Sequence, residues 1–199
     1  MKTKKLDHLS EIYHKYDAFI IDLWGVMHNG IILNKSAMKV VSELEKKGKK
    51  IVFLSNAPRP KKKVIEFLKK LKMDEKFLKH VVTSGEATIN SLKKNRFGKK
   101  FYHLGPQRDD SLFLEIIENK TTLDKCDFIL CTGLFDEEEN NLNYYSNLLK
   151  NFTQKKLVCT NPDLIVHRGK EEEYCAGKIA EIFESLGGEV IYFGKPHKE

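Results

Sequence analysis

An α/β fold with a parallel sheet is predicted by three features of the sequence. Short apolar runs alternate with longer amphipathic stretches, which is typical of strands that alternate with helices. Glycines stand where helical patterns stop, at Gly48 and at Gly187-Gly188. Polar residues that can act on an anion, Asp22 and Ser55 among them, follow directly on apolar runs, as they do at the carboxyl edge of a parallel sheet.

The first part of the chain predicts three strands and three helices in alternation. Strands are expected at residues 18–21, 51–54 and 80–84. Helices are expected at residues 36–47 and 86–94, and a further one begins near Pro60, where apolar residues recur at helical spacing.

A second alternating block begins near residue 99. Its strands are expected at residues 101–104, 128–130, 157–159 and 190–193, and its helices at residues 112–117, 142–149 and 174–186. The four cysteines form no CxxC pair, and no histidine stands at zinc-finger spacing from them. Reduced structural thiols are therefore expected at Cys126, Cys131, Cys159 and Cys175.

Composition limits the classes of partner. The 199 residues carry 35 Lys and Arg against 28 Asp and Glu, a formal net charge of +7. The excess is mostly Lys interleaved with Glu, so a solvated surface or an anionic small substrate is favoured over a nucleic-acid partner. The basic N-terminus lacks an apolar segment, so a cytoplasmic protein without a membrane partner is expected. The sequence leaves open whether the protein forms a homo-oligomer.

Three predicted strands end in groups suited to phosphoryl transfer. Asp22 ends the first, Ser55-Asn56 end the second, and Lys195 follows the last. Strand ends share one edge of a parallel sheet, so these groups are expected to meet in one pocket. There a carboxylate can act as nucleophile, a hydroxyl can bind phosphate oxygens, and an ammonium can offset their charge. Without this convergence, each is as readily a turn or surface residue.

The same segments resemble the motifs of a known superfamily. Asp22-Leu23-Trp24-Gly25-Val26, Leu54-Ser55-Asn56-Ala57 and Gly194-Lys195-Pro196 resemble the first three motifs of the haloacid dehalogenase (HAD) superfamily. Together with Cys159-Thr160-Asn161-Pro162-Asp163 and a large insert, they resemble subfamily IIA, which includes nitrophenylphosphatases and pyridoxal-phosphate phosphatases. The resemblance implies a Rossmann-like parallel-sheet core with an inserted α/β cap domain of the C2 type. Core is expected at residues 1–98 and 189–199, and cap at residues 99–188.

The resemblance also implies roles for individual residues. Asp22 would be the nucleophile and a Mg²⁺ ligand, with the backbone carbonyl of Trp24 as a second ligand. Ser55 and Asn56 would bind the phosphoryl group and the substrate side, and Lys195 would orient Asp22 and the phosphate. Asn161 and Asp163 would contact the leaving group, although Asn161-Pro162-Asp163 is also a turn signature. A small phosphorylated metabolite is the implied substrate, hydrolysed through an aspartyl-phosphate.

The sequence departs from the superfamily pattern in two places. Most phosphatases of the superfamily carry an acid–base Asp two positions after the nucleophile, where this chain has Trp24. Acid–base catalysis contributes about a hundredfold to ten-thousandfold, so a binding or regulatory module with impaired turnover is the alternative function. Trp24 itself fits a pocket wall or the core, and His28 is expected to be a solvated loop residue. The acidic fourth motif does not follow Lys195, so a C-terminally truncated form is expected.

Overall fold

The fold is α/β, as predicted. The computed structural model describes residues 5–199, so residues 1–4 of the basic N-terminus lie outside the described part. Its helices and strands follow in the order β1 (Ala18–Ile21), α1 (Lys35–Lys46), β2 (Lys50–Ser55), α2 (Lys61–Lys70), β3 (Val81–Thr83), α3 (Ser84–Leu92), β4 (Phe101–Leu104), β5 (Phe128–Cys131), α4 (Leu142–Leu149), β6 (Lys156–Cys159), β7 (Ile165–Arg168), β8 (Glu171–Tyr174), α5 (Ala176–Ser185) and β9 (Glu189–Tyr192). Among residues 5–199, no helix is long and apolar enough to cross a membrane.

Two parallel sheets organise the chain. The first has the strand order β1-β2-β3, and the second has the order β4-β5-β6-β9. The domain limits stay a prediction, but β9 pairs with β6 and so extends the second sheet rather than returning to the first. Lys195 therefore reaches the site from the carboxyl edge of the second sheet.

The two sheets are covered differently. One face of the first sheet packs Phe53 and Val81 against α1 and α2, whereas Ile20 on β1 is 71% exposed. The second sheet is covered on both faces, because alternate residues of β5 belong to separate apolar clusters. Ile129 packs toward α4 and α5, and Leu130 packs toward Phe101 and Phe113. This alternation follows from the two-residue period of a strand, and it buries the second sheet between two apolar layers.

Two segments differ from the expectation. Residues 112–117, predicted as a helix, form parts of the 3-10 segments Gln107–Leu112 and Leu114–Asn119, which meet at Phe113. The predicted helix at residues 174–186 begins only at Ala176, because Tyr174 pairs with Ile165 in the antiparallel hairpin of β7 and β8. Gly169, at φ +66°, forms the turn of this hairpin, which is absent from the strands predicted above. All four cysteines are free and buried, as expected.

The first strand of the second sheet carries a buried histidine. His103 on β4 is 5% exposed, and its Nε2 lies 2.9 Å from the Thr132 hydroxyl. Its Nδ1 lies 3.3 Å from Asp110 Oδ1. Burial lowers the pKa of His103 to about 4, with Lys120 acting in the same direction and Asp110 opposing it. The imidazole is therefore neutral in the folded protein near neutral pH.

Acidification is expected to destabilise the protein through His103. Its pKa is about 4 when folded against an ordinary 6.5, so the unfolded chain binds more protons between these values and stability falls as the pH falls. The lowered pKa corresponds to about 3 kcal/mol in the free energy of unfolding, and this contribution is lost in full once the pH is below 4. Urea titrations across this range should show His103→Gln losing about 3 kcal/mol less than the wild type. The same pH dependence in both proteins would contradict this assignment.

Candidate active site

Asp22, Ser55 and Lys195 line one cavity of 1320 Å³ between the carboxyl edges of the two sheets. Asp22 follows β1, Ser55 ends β2, and Lys195 lies just after β9. The Lys195 Nζ donates to Asp22 Oδ1 at 2.5 Å and to the Leu54 carbonyl at 2.9 Å. One ammonium thus links the ends of β1 and β2, although 173 positions separate it from Asp22.

The Asp22 carboxylate is held at one oxygen and open at the other. Oδ1 accepts hydrogen bonds from Lys195 and from the Leu23 amide, the latter at 2.9 Å. Oδ2 has no hydrogen-bond partner among the described residues, and the side chain is 39% exposed. A fixed carboxylate with one open oxygen can act as a nucleophile or as a metal ligand.

Ser55 presents a hydroxyl to the same cavity. Its side chain is buried, and its Oγ accepts a hydrogen bond from the Ala57 amide at 3.2 Å. The hydroxyl proton is not used in that bond and can be donated to an anion. Ser84, the first residue of α3, places its hydroxyl within hydrogen-bond distance of the Ala57 and Thr160 carbonyls, and so connects this loop to the second sheet.

Asn56 contacts protein groups with its whole carboxamide. Its Nδ2 donates to Asp163 Oδ1 at 2.9 Å and to the Lys195 carbonyl at 3.0 Å, and its Oδ1 accepts from the Lys195 amide at 2.8 Å. Gly194, at φ +117°, allows this approach, since a Cβ there would lie 2.6 Å from Asn56 Oδ1. Because both amide hydrogens are engaged, Asn56 positions the Lys195 backbone, and its predicted contact with substrate stays a prediction.

Asn161 and Asp163 also line the cavity. Asn161 is 7% exposed, and its Oδ1 accepts a hydrogen bond from the Asp163 amide at 3.0 Å, which is the Asx turn expected of Asn-Pro-Asp. Burial raises the pKa of the Asp163 carboxyl, the hydrogen bond from Asn56 opposes this, and the charge of Asp22 adds to it. Both residues are therefore placed beside the Asp22 pocket, while their predicted contact with a leaving group stays a prediction.

Trp24 connects the loop after β1 to the hairpin of β7 and β8. Its Nε1 donates to the His167 carbonyl at 3.0 Å, and its ring lines the cavity. Of the two positions that the sequence left open for Trp24, the pocket wall or the core, the pocket wall is thus the one observed. His28 is 5% exposed and packs edge-on between Trp24 and Phe67, so the expectation of a solvated histidine was wrong. Burial lowers the pKa of His28, opposed by the charge of Asp22.

Replacing Trp24 with Phe should loosen the hairpin. A two-stranded hairpin is marginally stable alone, and the substitution removes the indole hydrogen bond to His167 while keeping an aromatic ring. One such bond contributes about 1 kcal/mol, which corresponds to about fivefold faster exchange. Hydrogen exchange of the amides at residues 165–174 measures this. Phe67→Leu is the control, because it removes the other aromatic ring against His28 and leaves the indole bond to His167 in place. Unchanged protection in Trp24→Phe would show that the indole bond does not hold the hairpin.

Several cavity residues carried no signal in the sequence. Arg59 lies in the loop after β2, Asp109 lies after β4, and Thr132 follows β5. Their proximity depends on contacts between the two sheets, and the Arg59 Nε lies 3.5 Å from Asp109 Oδ1. A pattern within one strand or helix cannot reveal such a contact.

The oxygen atoms beside Asp22 are of the type that Mg²⁺ prefers. Asp22 Oδ2 and the Trp24 carbonyl accept no hydrogen bond from the residues that the structure describes. Within residues 5–199, no group of three His, Cys, Asp or Glu could hold a metal alone. A carboxylate and a carbonyl nevertheless fit Mg²⁺, which commonly keeps several waters and shares phosphate oxygens with its substrate.

Comparisons with known proteins show the family to which the chain belongs. Residues 19–116 match the family of haloacid dehalogenase-like hydrolases. A hydrolase of the haloacid dehalogenase-like family from Brucella suis 1330 is 30% identical with a TM-score of 0.88, over 97% of this chain and 74% of that chain. No curated protein sequence matches the chain.

Two phosphatases share the fold at lower identity. A 4-nitrophenylphosphatase from Thermotoga maritima is 24% identical with a TM-score of 0.66, over 92% of this chain and 69% of that chain. The glycerol phosphate phosphatase Rv1692 from Mycobacterium tuberculosis, solved with calcium, is 19% identical with a TM-score of 0.63, over 93% of this chain and 55% of that chain.

The parallel-sheet fold and the relative that is 30% identical define the class of protein. This chain belongs to the haloacid dehalogenase-like hydrolase family. The resemblance to the nitrophenylphosphatase subfamily is confirmed at the level of the fold.

Proposed function

We propose that the protein is a Mg²⁺-dependent phosphatase that hydrolyses a small phosphorylated metabolite through an aspartyl-phosphate on Asp22. The observation that carries the proposal is the contact between Lys195 Nζ and Asp22 Oδ1, which leaves Oδ2 open at the cavity. The phosphatases that share the fold support the reaction type.

Each residue has a part in this reaction. Asp22 Oδ2 attacks phosphorus in line as the bond to the leaving oxygen breaks, and the alkoxide takes a proton from water. A water molecule later hydrolyses the aspartyl-phosphate, which releases phosphate and restores the carboxylate. The Ser55 hydroxyl and the Lys195 ammonium hold the phosphoryl oxygens as charge develops on them. Asn56 fixes the Lys195 backbone. Asp22 and the Trp24 carbonyl would hold Mg²⁺, which would neutralise charge on the phosphoryl oxygens when bound.

Trp24 favours a second candidate function. An indole at the position of the family's acid–base carboxylate cannot transfer a proton, and here it is bonded to the hairpin instead. A phosphate-ligand binding or regulatory module with little turnover is consistent with that arrangement.

Two measurements separate the candidates. Hydrolysis of p-nitrophenyl phosphate is followed with Mg²⁺ and with a chelator, and binding of inorganic phosphate is followed by calorimetry. Mg²⁺-dependent hydrolysis that requires Asp22 supports the phosphatase. Phosphate binding without hydrolysis supports the module. The absence of both contradicts both.

A further inference from the structure

A polar cluster lines the same cavity on the side of the second sheet. Asp109 lies in the 3-10 segment after β4, Thr132 follows β5, and Arg59 reaches across from the loop after β2. The cavity of 1320 Å³ is far larger than a phosphate group needs, so it has room for the alcohol part of a substrate beside this cluster.

Asp109 carries a buried oxygen without a donor. The residue is 3% exposed, and its Oδ1 has no hydrogen-bond partner within the described part of the chain. The Arg59 Nε is 3.5 Å from this oxygen, a distance that permits an ion pair but not a well-aligned hydrogen bond. An unsatisfied buried acceptor costs free energy, so a ligand that donates to it gains that bond at full strength.

The charges around Asp109 favour a neutral donor. Arg59 and Arg108 expose about half of their side chains, and Arg108 pairs with Asp136. A second anion on the substrate would meet the Asp109 carboxylate, and a cation would meet the two guanidinium groups. A hydroxyl suits both, because it donates to the carboxylate and accepts from a guanidinium.

Arg59 is held in place by the end of β3. The Thr83 hydroxyl donates to the Arg59 carbonyl at 2.8 Å. Gly85 packs so closely that a Cβ there would lie 2.4 Å from the Arg59 amide nitrogen. Arg59 also lies only four positions after Ser55, so the loop that would bind phosphate also carries the backbone from which the guanidinium extends.

We propose that Asp109 and Arg59 form a subsite that binds hydroxyl groups and selects phosphomonoesters of polyols. The subsite rests on the proposed function of the Asp22 site, which would hold the phosphate end of the same molecule. Asp109 acts here as a specificity-determining residue, since it contacts the alcohol part and not the reacting phosphorus.

Calorimetric binding tests the subsite without relying on turnover. Glycerol 3-phosphate, propyl phosphate and inorganic phosphate are titrated into the Asp22→Asn protein, which blocks hydrolysis. The two esters share a three-carbon skeleton and differ in hydroxyl groups. We expect glycerol 3-phosphate to bind about tenfold more tightly than propyl phosphate, as one buried hydrogen bond allows.

Substitutions then locate the preference. Asp109→Ala should abolish it while leaving propyl phosphate affinity within about twofold, and the neighbouring Asp110→Ala, whose residue does not line the cavity, should retain it. Arg59→Met provides a second test at a half-exposed side chain if Asp109→Ala does not fold. Equal affinity for the two esters would overturn the subsite and leave the phosphate site standing. Failure of inorganic phosphate to bind both the wild-type and the Asp22→Asn protein in the presence of Mg²⁺ would overturn the proposed function and the subsite together.

Discussion

Asp22→Asn is expected to reduce the rate of phosphate ester hydrolysis at least about a thousandfold, because an amide oxygen cannot form the covalent bond to phosphorus. The effect should fall on kcat rather than on KM. Removing the negative charge does not weaken attraction for an anionic substrate, so phosphate should bind at least as tightly as before. Steady-state kinetics and phosphate calorimetry measure the two parts separately.

The control for this substitution lies at the start of β1. Asp17→Asn changes an exposed carboxylate that does not line the cavity, and its activity should stay within about twofold of wild type. The Asp22 side chain is 39% exposed, so Asp22→Asn should change the free energy of unfolding by no more than about 1 kcal/mol. Equal activity of Asp22→Asn and wild type would remove Asp22 from the reaction.

Lys195→Met should lower kcat by about a hundredfold to a thousandfold, the range found when one charge-stabilising donor is removed from an active site. The ammonium donates a hydrogen bond to Asp22 Oδ1 at 2.5 Å and lines the cavity. Loss of the ammonium therefore disturbs both the orientation of the Asp22 carboxylate and the neutralisation of phosphoryl charge. Lys195→Arg should recover only part of the rate, since a guanidinium does not reproduce a compact ammonium.

Lys198→Met is the matched control for this second prediction. Lys198 is exposed and lies three positions further along the same segment, away from the cavity. Its replacement removes the same formal charge, so a comparable loss in both variants would show that Lys195 acts only through net charge. Substrate binding that weakens while kcat is retained would likewise contradict the assigned role.

The sequence predicted the class of fold and the convergence of the site for a definite physical reason. Asp22, Ser55 and Lys195 each follow an apolar run, and strand ends of parallel sheets lie along shared edges. The sequence did not predict which sheet carries Lys195. β9 pairs with β6, so the lysine comes from the second sheet and meets Asp22 across the cavity.

Other features escaped prediction because they depend on contacts distant in sequence. The burial of His28 comes from packing between Trp24 and Phe67, which no local pattern records. The hairpin around Gly169 is polar and short, so it lacks the alternation that indicates a strand. The hydrogen bonds of Asn56 to Lys195 and Asp163 are a further long-range contact of this kind, while its predicted contact with substrate stays a prediction.

The residue that receives the phosphoryl group during turnover decides whether Asp22 is the nucleophile. The protein is mixed with p-nitrophenyl phosphate and Mg²⁺, quenched in acid within the first turnover, digested and analysed by mass spectrometry. A phosphoryl group on the peptide that contains Asp22, absent from Asp22→Asn, is the predicted result. Turnover that continues with no label on Asp22, or with the label on another residue, would contradict it.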